Sequence, residues 1–249
     1  MEPLTAPEEG GVIPLGVPRR AAESPVSTVA RASTAAVPTA VSRALLALLL
    51  STDGLFIALH LVYLYTRFLQ DFHFSVEMDW GHGEVFQMVK EYWAFALLGA
   101  LFVRTRRPVY GAWSLVLGYV LLDDAVQIHE KGGGKIVEWF GYAPAFQLRA
   151  QDFGELTVTV AAGLGLAVAV GGAWLLSDFE DRRVARRLAA LLGLLFFFGV
   201  IVDMLHVVRA WPLLGLLEDG GEMLAMSLIC WYVFRLFAPE AARPVLGRG

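Results

Sequence analysis

The chain has little charge, almost no cysteine and few lysines. Charged residues make up 18% of its 249 residues, Cys230 is the single cysteine, and only three of the 20 basic residues are lysine. One cysteine excludes a disulfide-stapled scaffold, and a net charge of −4 offers no basic surface for nucleic acid. Apolar residues instead reach 57% and the mean hydropathy is +0.57. A soluble domain is nearer about 45–50% apolar, so the composition indicates a membrane protein.

Composition also divides the chain into three parts. Residues 1–42 are rich in Ala, Pro, Ser and Thr and lack any apolar periodicity, so they predict a disordered cytoplasmic tail. Residues 43–238 contain the long apolar stretches and form the predicted transmembrane domain. Residues 239–249 are predicted to be a short cytoplasmic tail at the carboxyl terminus.

Six stretches are long and apolar enough to cross a membrane, which takes about 20 residues of helix. They predict an all-α membrane protein, a bundle of six transmembrane helices. The predicted spans are Ala44–Tyr65, Gly83–Val103, Val109–Ile128, Phe153–Leu176, Leu188–His206 and Glu218–Phe237.

The arginines predict how the bundle is oriented. With the amino terminus in the cytoplasm, 14 of the 20 basic residues fall on the cytoplasmic side, and no loop violates the positive-inside rule. Both termini are therefore predicted to be cytoplasmic. The abundance of Ala, Gly, Leu and Arg is typical of a GC-rich bacterial genome, so we expect the cytoplasmic (inner) membrane of a bacterium.

The acidic residues gather at the opposite end. On this orientation 16 of the 24 Asp and Glu residues lie in outer loops or in the outer halves of helices. Asp53 falls near the middle of the first helix, where an ionised side chain costs roughly 2.5–3.5 kcal/mol on insertion scales. We therefore expect Asp53 to face the bundle interior and to have a partner.

A short repeat accompanies these acids. Three outside-to-inside helices begin with similar words, G-H-G-E-V, D-F-G-E-L and D-G-G-E-M, and each of the other three carries an Asp followed by a His. The pattern predicts three pseudo-repeated α-hairpins whose polar faces meet at one site. The run Gly132–Gly134 follows a helix and lacks the sequel of a phosphate-binding loop, so it is interpreted as a flexible turn.

Imidazole and carboxylate groups together are typical ligands of Zn, Fe and Mn. Many acids close together would also repel one another unless a cation neutralised them. The sequence therefore predicts an outward-facing site for a divalent metal ion. The candidate ligands are His60, His129, His206, Asp203, Glu84, Glu155 and Glu222, and the candidate catalytic acids or bases are Asp53, Asp123 and Asp124.

Such a site at acyl-chain depth favours a metal-dependent enzyme, either a hydrolase or a di-metal oxidoreductase, that acts on a lipid-like substrate. The expected partners are membrane lipids. Two other classes of function remain open. Intramembrane acids and histidines also form proton relays, so the chain could be a transporter or channel for protons or divalent cations. A non-catalytic membrane scaffold is the third possibility.

The distribution of basic residues leads to a topology prediction. Single cysteines placed near Glu77 and Gly141 should react with a membrane-impermeant thiol reagent in intact cells, because both loops are predicted to be outside. Cysteines near Thr105 and Glu180 should react only after lysis. The reverse labelling pattern would overturn the orientation.

Overall fold

The computed structural model describes residues 39–209 and 211–241, and this part of the chain is helical. Its only extended pairing among those residues is an isolated bridge between Ala145 and Leu148. The predicted tails fall largely outside the described residues, namely 1–38 and 242–249. Where they overlap the structure, the first helix begins at Thr39 and the last ends at Ala241, so the helices extend four and three residues into the predicted tails.

Six helices are long and apolar enough to cross a membrane, which confirms the predicted six-helix bundle. Two features depart from a plain series of six spanning helices joined by turns. A further helix follows the third span, and a π-helical segment, Phe197–Val202, divides the fifth. The α-helices are α1 (Thr39–Tyr65), α2 (His82–Thr105), α3 (Pro108–Val126), α4 (Ile128–Phe140), α5 (Ala150–Leu175), α6 (Phe179–Phe196), α7 (Asp203–Arg209) and α8 (Pro212–Ala241).

Several helices begin earlier than their apolar stretches because polar side chains stabilise the first turn outside the hydrocarbon. The fifth span begins at Phe179 rather than Leu188, since the Asp178 carboxylate accepts the backbone N–H of Asp181 at 2.9 Å. The fourth begins at Ala150, where Asp152 accepts the N–H of Arg149 at 2.6 Å. Hydropathy reports the apolar length of a span, whereas capping decides where the helix begins.

The six crossings define two ends of the bundle. The turns 106–107 and 176–178, together with Thr39 and Ala241, lie at what we call the arginine end. The turns 66–81, 127 and 141–149 lie at what we call the cavity end. The turn between α2 and α3 is short because Arg106 takes a left-handed conformation (φ 58°) and Pro108 opens α3 with its φ already helical.

The half of the bundle toward the arginine end is packed with apolar side chains. Helices α2, α3, α6 and α8 contribute to one continuous cluster. Lipid tails are as apolar as these side chains, so close van der Waals packing rather than water exclusion stabilises it. Its most buried members include Leu98, Leu101, Val109, Leu117, Leu188, Ile229 and Val233.

The interpretation of Gly132–Gly134 as a flexible turn is wrong. These glycines lie inside α4, and Gly133 is buried against the backbone of Glu155 in α5. A side chain on Gly154 would in turn overlap the carbonyl oxygen of Gly133. The glycines therefore allow α4 and α5 to approach each other closely.

The repeat also differs from its prediction at one helix. Glu84 and Glu155 lie near the starts of α2 and α5, but Glu222 lies in the third turn of α8, because that helix already begins at Pro212. In addition, α1 packs chiefly against α8 rather than against α2, its partner in the first predicted hairpin.

The α4–α5 contact leads to a stability prediction. Gly154→Ala should lower the free energy of unfolding by roughly 1–3 kcal/mol, the usual cost of overpacking. Gly171→Ala in the same helix, where nothing lies within 4 Å of an added methyl group, should leave it unchanged or raise it by up to about 1 kcal/mol. Thermal unfolding in detergent measures both changes. Equal effects of the two substitutions would contradict close packing at Gly154.

Candidate functional site: an acidic cavity

A cavity of about 840 Å³ opens between the helices at the cavity end. Its wall is acidic, since eleven of its lining residues are Asp or Glu, against His129, Lys131 and Arg149 as the cationic or titratable basic groups. The acids are Glu77, Asp79, Glu84, Asp123, Asp124, Glu130, Glu155, Asp203, Glu218, Asp219 and Glu222.

Most of the predicted site residues converge here. The three glutamates of the repeat line the cavity, as do Asp123, Asp124, Asp203 and His129. His206 reaches it indirectly, through a bond to a lining carboxylate. Asp53 and His60 do not line it. Sequence reasoning left Glu218, Asp219 and Gln87 out of the site, although their helical spacing to Glu222 and Glu84 was a usable signal.

His129 is positioned by the break between α3, the third span, and α4. Gln127 takes a left-handed conformation (φ 55°) that ends α3 and starts α4. Asp123 spans the break: one carboxylate oxygen accepts the backbone N–H of His129 at 2.8 Å, and the other bonds its Nδ1 at 2.9 Å. This carboxylate raises the pKa of His129 to about 9. The Nε2 atom carries no bond to Asp123, and its proton competes with any metal ion for that nitrogen.

His206 has a parallel arrangement in the fifth span. Its Nδ1 bonds the Glu218 carboxylate at 2.9 Å across the turn to α8. The π-helical segment Phe197–Val202 comes directly before it, and Gly199 within that segment lies against the Glu222 carboxylate. Such π-helical turns are rare and occur frequently at functional sites. Both histidines thus have Nδ1 bound by a carboxylate.

His60 is arranged differently. Its Nδ1 accepts the backbone N–H of Val76 at 3.2 Å and lies 3.3 Å from the Ser75 hydroxyl oxygen. Since Nδ1 is the acceptor in the bond with Val76, the proton of a neutral ring is on Nε2, which is buried without a partner among the described residues. The ring therefore supports the loop between α1 and α2 and does not face the cavity.

One face of α2 contributes Glu84 and Gln87 to the wall of the cavity and continues to Glu91. In the first turn of α2, the Glu84 carboxylate accepts the backbone N–H of Trp80. One turn further along the helix, Gln87 donates to Glu222 at 3.1 Å. One further turn on, Glu91 is fully buried. Neither of its oxygens accepts a hydrogen bond from an N–H or hydroxyl group in the described ranges, and the Asp124 carboxyl group lies against it. Two buried carboxyl groups in contact require a proton or a cation between them.

Asp53 has a buried partner, as its position near the middle of a spanning helix predicts. Lys90 donates to the Asp53 carboxylate at 2.8 Å, to the Met223 carbonyl at 2.7 Å and to the Ser227 hydroxyl at 3.2 Å, which uses all three of its protons. Ser227 in turn donates to the other Asp53 oxygen at 2.6 Å. Both charged side chains are 0% exposed. This closed network connects α1, α2 and α8 beside the cavity, whose wall includes Met223.

The acids are not drawn together around a single point. Among residues 39–209 and 211–241, no group of three or more His, Cys, Asp or Glu side chains is already arranged to hold a metal ion. A bound metal would have to draw cavity side chains inward by changes of rotamer.

The fold and the cavity together define an integral membrane protein of six spanning helices with an acidic cavity at one end. A family model described as Domain of unknown function (DUF8692) matches residues 45–236, which includes all six spans in whole or in large part. The chain belongs to this family. No curated protein and no solved structure matches the chain.

The buried network leads to a prediction about Lys90. Lys90→Met should lower the free energy of unfolding by roughly 3–5 kcal/mol, because it leaves the Asp53 carboxylate buried without a counter-charge. The double variant Lys90→Met/Asp53→Leu should recover most of this loss, since it removes both charges. Denaturant titration in detergent measures these values.

Lys135→Met is the matched control, because Lys135 is exposed in α4. It should change the free energy of unfolding in detergent by no more than about 0.5 kcal/mol. A double variant as unstable as Lys90→Met alone would show that the ion pair is not the source of the effect.

Proposed function

We propose that this protein binds a divalent metal ion in the acidic cavity and uses it to hydrolyse a lipid-like substrate within the membrane. The observation that carries the proposal is the pair of histidines whose Nδ1 atoms are bound by carboxylates. Metal-ligating histidines almost always donate one ring N–H to a carboxylate, carbonyl or water, and the other nitrogen then faces the metal. His129 with Asp123 and His206 with Glu218 have this arrangement.

The charge of the cavity supports a cation as the ligand. Eleven acids face three basic side chains, so at most three of the eleven can be neutralised by basic groups of the wall. Arg149, one of those three, is already bound to Asp152, which is outside the wall, through its Nε and Nη2 at 2.9 and 2.6 Å. Wall acids that are shielded from water must be protonated or must face a cation. Asp124 is one of them, and it also contacts the fully buried Glu91.

The roles of the individual residues follow from their contacts. His129, His206, Glu84, Glu155, Asp203 and Glu222 are the proposed ligand set. Asp123 and Glu218 orient the two imidazoles rather than touch the substrate. Asp124 lines the cavity and has no such task in the described contacts, so we assign it as the general base that accepts a proton from the attacking water. A metal ion bound here would lower the pKa of that water.

The position and lining of the cavity support a lipid-like substrate. Its volume is in the usual range of small-molecule sites. Beside the acids it is lined by apolar side chains of spanning helices, among them Leu156, Leu166, Val200 and Met223. Such a wall suits an acyl or isoprenoid chain, while the acids and the metal suit the polar group to be cleaved.

The alternative of a transporter has less support. A transported ion needs polar side chains across the full thickness of the membrane. Toward the arginine end, α2, α3, α6 and α8 close on the apolar cluster described above, and the cavity meets the edge of this cluster at Val120, Leu166 and Leu195. The buried Asp53–Lys90 pair is fully hydrogen-bonded within the protein and so offers no free group to a transported ion.

The cavity end is proposed to face away from the cytoplasm of a bacterial inner membrane, with both termini cytoplasmic. The basis is the placement of arginine in the described residues. Those at or near the arginine end are Arg43, Arg104, Arg106, Arg107, Arg182, Arg183, Arg186, Arg187 and Arg235. The positive-inside rule places this end in the cytoplasm.

Metal analysis of the purified full-length protein tests the proposal. We expect about one equivalent or more of a divalent metal, and chelation should lower the melting temperature because the metal stabilises only the folded state. His129→Ala/His206→Ala should lose both the metal and the chelator effect. Asp123→Asn should weaken metal affinity by roughly 10–100-fold, as expected for a residue that orients a ligand.

His73→Ala is the matched control. His73 lies in the loop after α1, bonds Asp71 at 2.8 Å and does not line the cavity, so its loss should change neither measurement. Release of labelled fatty acid from ester- and amide-linked lipids in proteoliposomes tests the enzyme assignment, and Asp124→Asn should abolish it.

Two results would overturn the proposal. Protein that purifies without metal, and whose melting does not respond to Zn²⁺, Mn²⁺, Fe²⁺ or Ca²⁺, has no such site. Iron at two equivalents per chain, with no release of fatty acid, would exclude the hydrolase and favour the di-metal oxidoreductase.

A further inference from the structure

The helix α4 lies between two spanning helices in the chain and is itself too short to cross the membrane. Its 13 residues span about 20 Å. It packs against the first two turns of α5, at the cavity end: the Gln151 side chain donates to the Glu130 carbonyl at 2.8 Å, and Gly133 lies against Gly154 and Glu155. Beyond α4, the Tyr142 hydroxyl lies 3.2 Å from that of Thr157. This contact places α4 at the level where α5 leaves the hydrocarbon.

Large aromatic side chains at the end of α4 have little protein around them. Trp139 is 76% exposed and Phe140 is 68% exposed, and Phe146 in the next loop is 88% exposed. The Phe140 ring stacks on Tyr142 with 6.2 Å between centroids, which extends the same aromatic surface. An aromatic patch of this size in water would favour aggregation, whereas at a membrane interface such side chains are the usual anchors.

The same helix carries two of the three lysines of the chain, Lys131 and Lys135, and both are exposed. They are one turn apart and so share a face. Lys131 also lines the acidic cavity, where its amine donates to the Val126 carbonyl at 2.8 Å. Lysine ammonium groups and aromatic rings on one short helix are the composition of helices that lie on lipid surfaces.

We propose that α4 and the loop 141–149 lie in the membrane interface, with Trp139, Phe140 and Phe146 between headgroups and acyl chains and with Lys131 and Lys135 on phospholipid phosphates. The segment then forms a lipid-binding edge of the cavity. The partner is a phospholipid surface because both neighbours of the segment in the chain, α3 and α5, are spanning helices, and because the lysines match phosphate in charge. This inference does not depend on a bound metal.

Spin labels in phospholipid nanodiscs test the depth of the segment. Single cysteines replace Trp139, Phe140 and Phe146, and control cysteines replace two exposed acidic residues, Glu138 of the same helix and Glu180 in the first turn of α6. Cys230 remains in place because it is buried. We expect the first three labels to be relaxed mainly by oxygen, which partitions into lipid, and the two controls mainly by a water-soluble nickel chelate.

Equal access of the nickel chelate to all five labels would overturn the proposal, because α4 would then project into water. Phospholipid retained by the purified protein, counted by native mass spectrometry, tests the lysines. Lys131→Gln/Lys135→Gln should retain at least about twofold less phosphatidylglycerol than Lys131→Arg/Lys135→Arg, which keeps both charges. Equal retention would remove the lysines from the proposal. Neither measurement involves metal, so these outcomes are independent of the test of the cavity.

Discussion

A charge placed at membrane depth must be neutralised by a neighbour, since water is not there to solvate it. Lys90 and Asp53 meet this constraint completely, with every proton of the ammonium group used and both carboxylate oxygens bonded. The network bonds α1, α2 and α8 to one another beside the cavity, whose wall includes Met223. Glu91, the next residue along α2, turns toward Asp124 instead and is left without an N–H or hydroxyl partner. Lys90 thus belongs to a fully bonded structural network, whereas its neighbour Glu91 and the contacting Asp124 need a proton or a cation between them.

The backbone is irregular where the cavity is. The left-handed residue Gln127 ends one helix and starts the next, and the π-helical segment Phe197–Val202 interrupts the fifth span. Irregular backbone at membrane depth is tolerated where it lines a polar cavity or is buried in protein. Each departure lies close to a histidine that a carboxylate bonds, His129 by Asp123 and His206 by Glu218. The first pair needs the break at Gln127, because residues six apart on one regular helix do not share a face. The second pair forms across the turn between α7 and α8.

The same kind of sequence pattern had different structural outcomes. His60, His129 and His206 each follow an Asp in the sequence, but His60 accepts the Val76 N–H and does not line the cavity. Helical spacing shows which residues share a helix face, and it does not show what that face contacts. The sequence predicts a turn at glycines 132–134 for a related reason, since a run of glycine in an isolated segment favours a turn. Only the partner helix, with Gly154 opposite Gly133, makes their lack of side chains a packing feature.

The sequence by itself determined the class of protein, the six spans and the end of the bundle where the acids gather. These follow from the length of apolar stretches and from the unequal distribution of charge, both of which are local or additive properties. It also required a buried partner for Asp53, because an isolated charge at that depth is too costly. The tertiary structure decided that the partner is Lys90, that the Glu91 carboxyl group meets Asp124 rather than an N–H or hydroxyl group, and that α4 packs on α5. Each of these features depends on which helix faces meet. The meeting faces are set by packing between residues that are distant in the sequence, such as the glycines of α4 and α5.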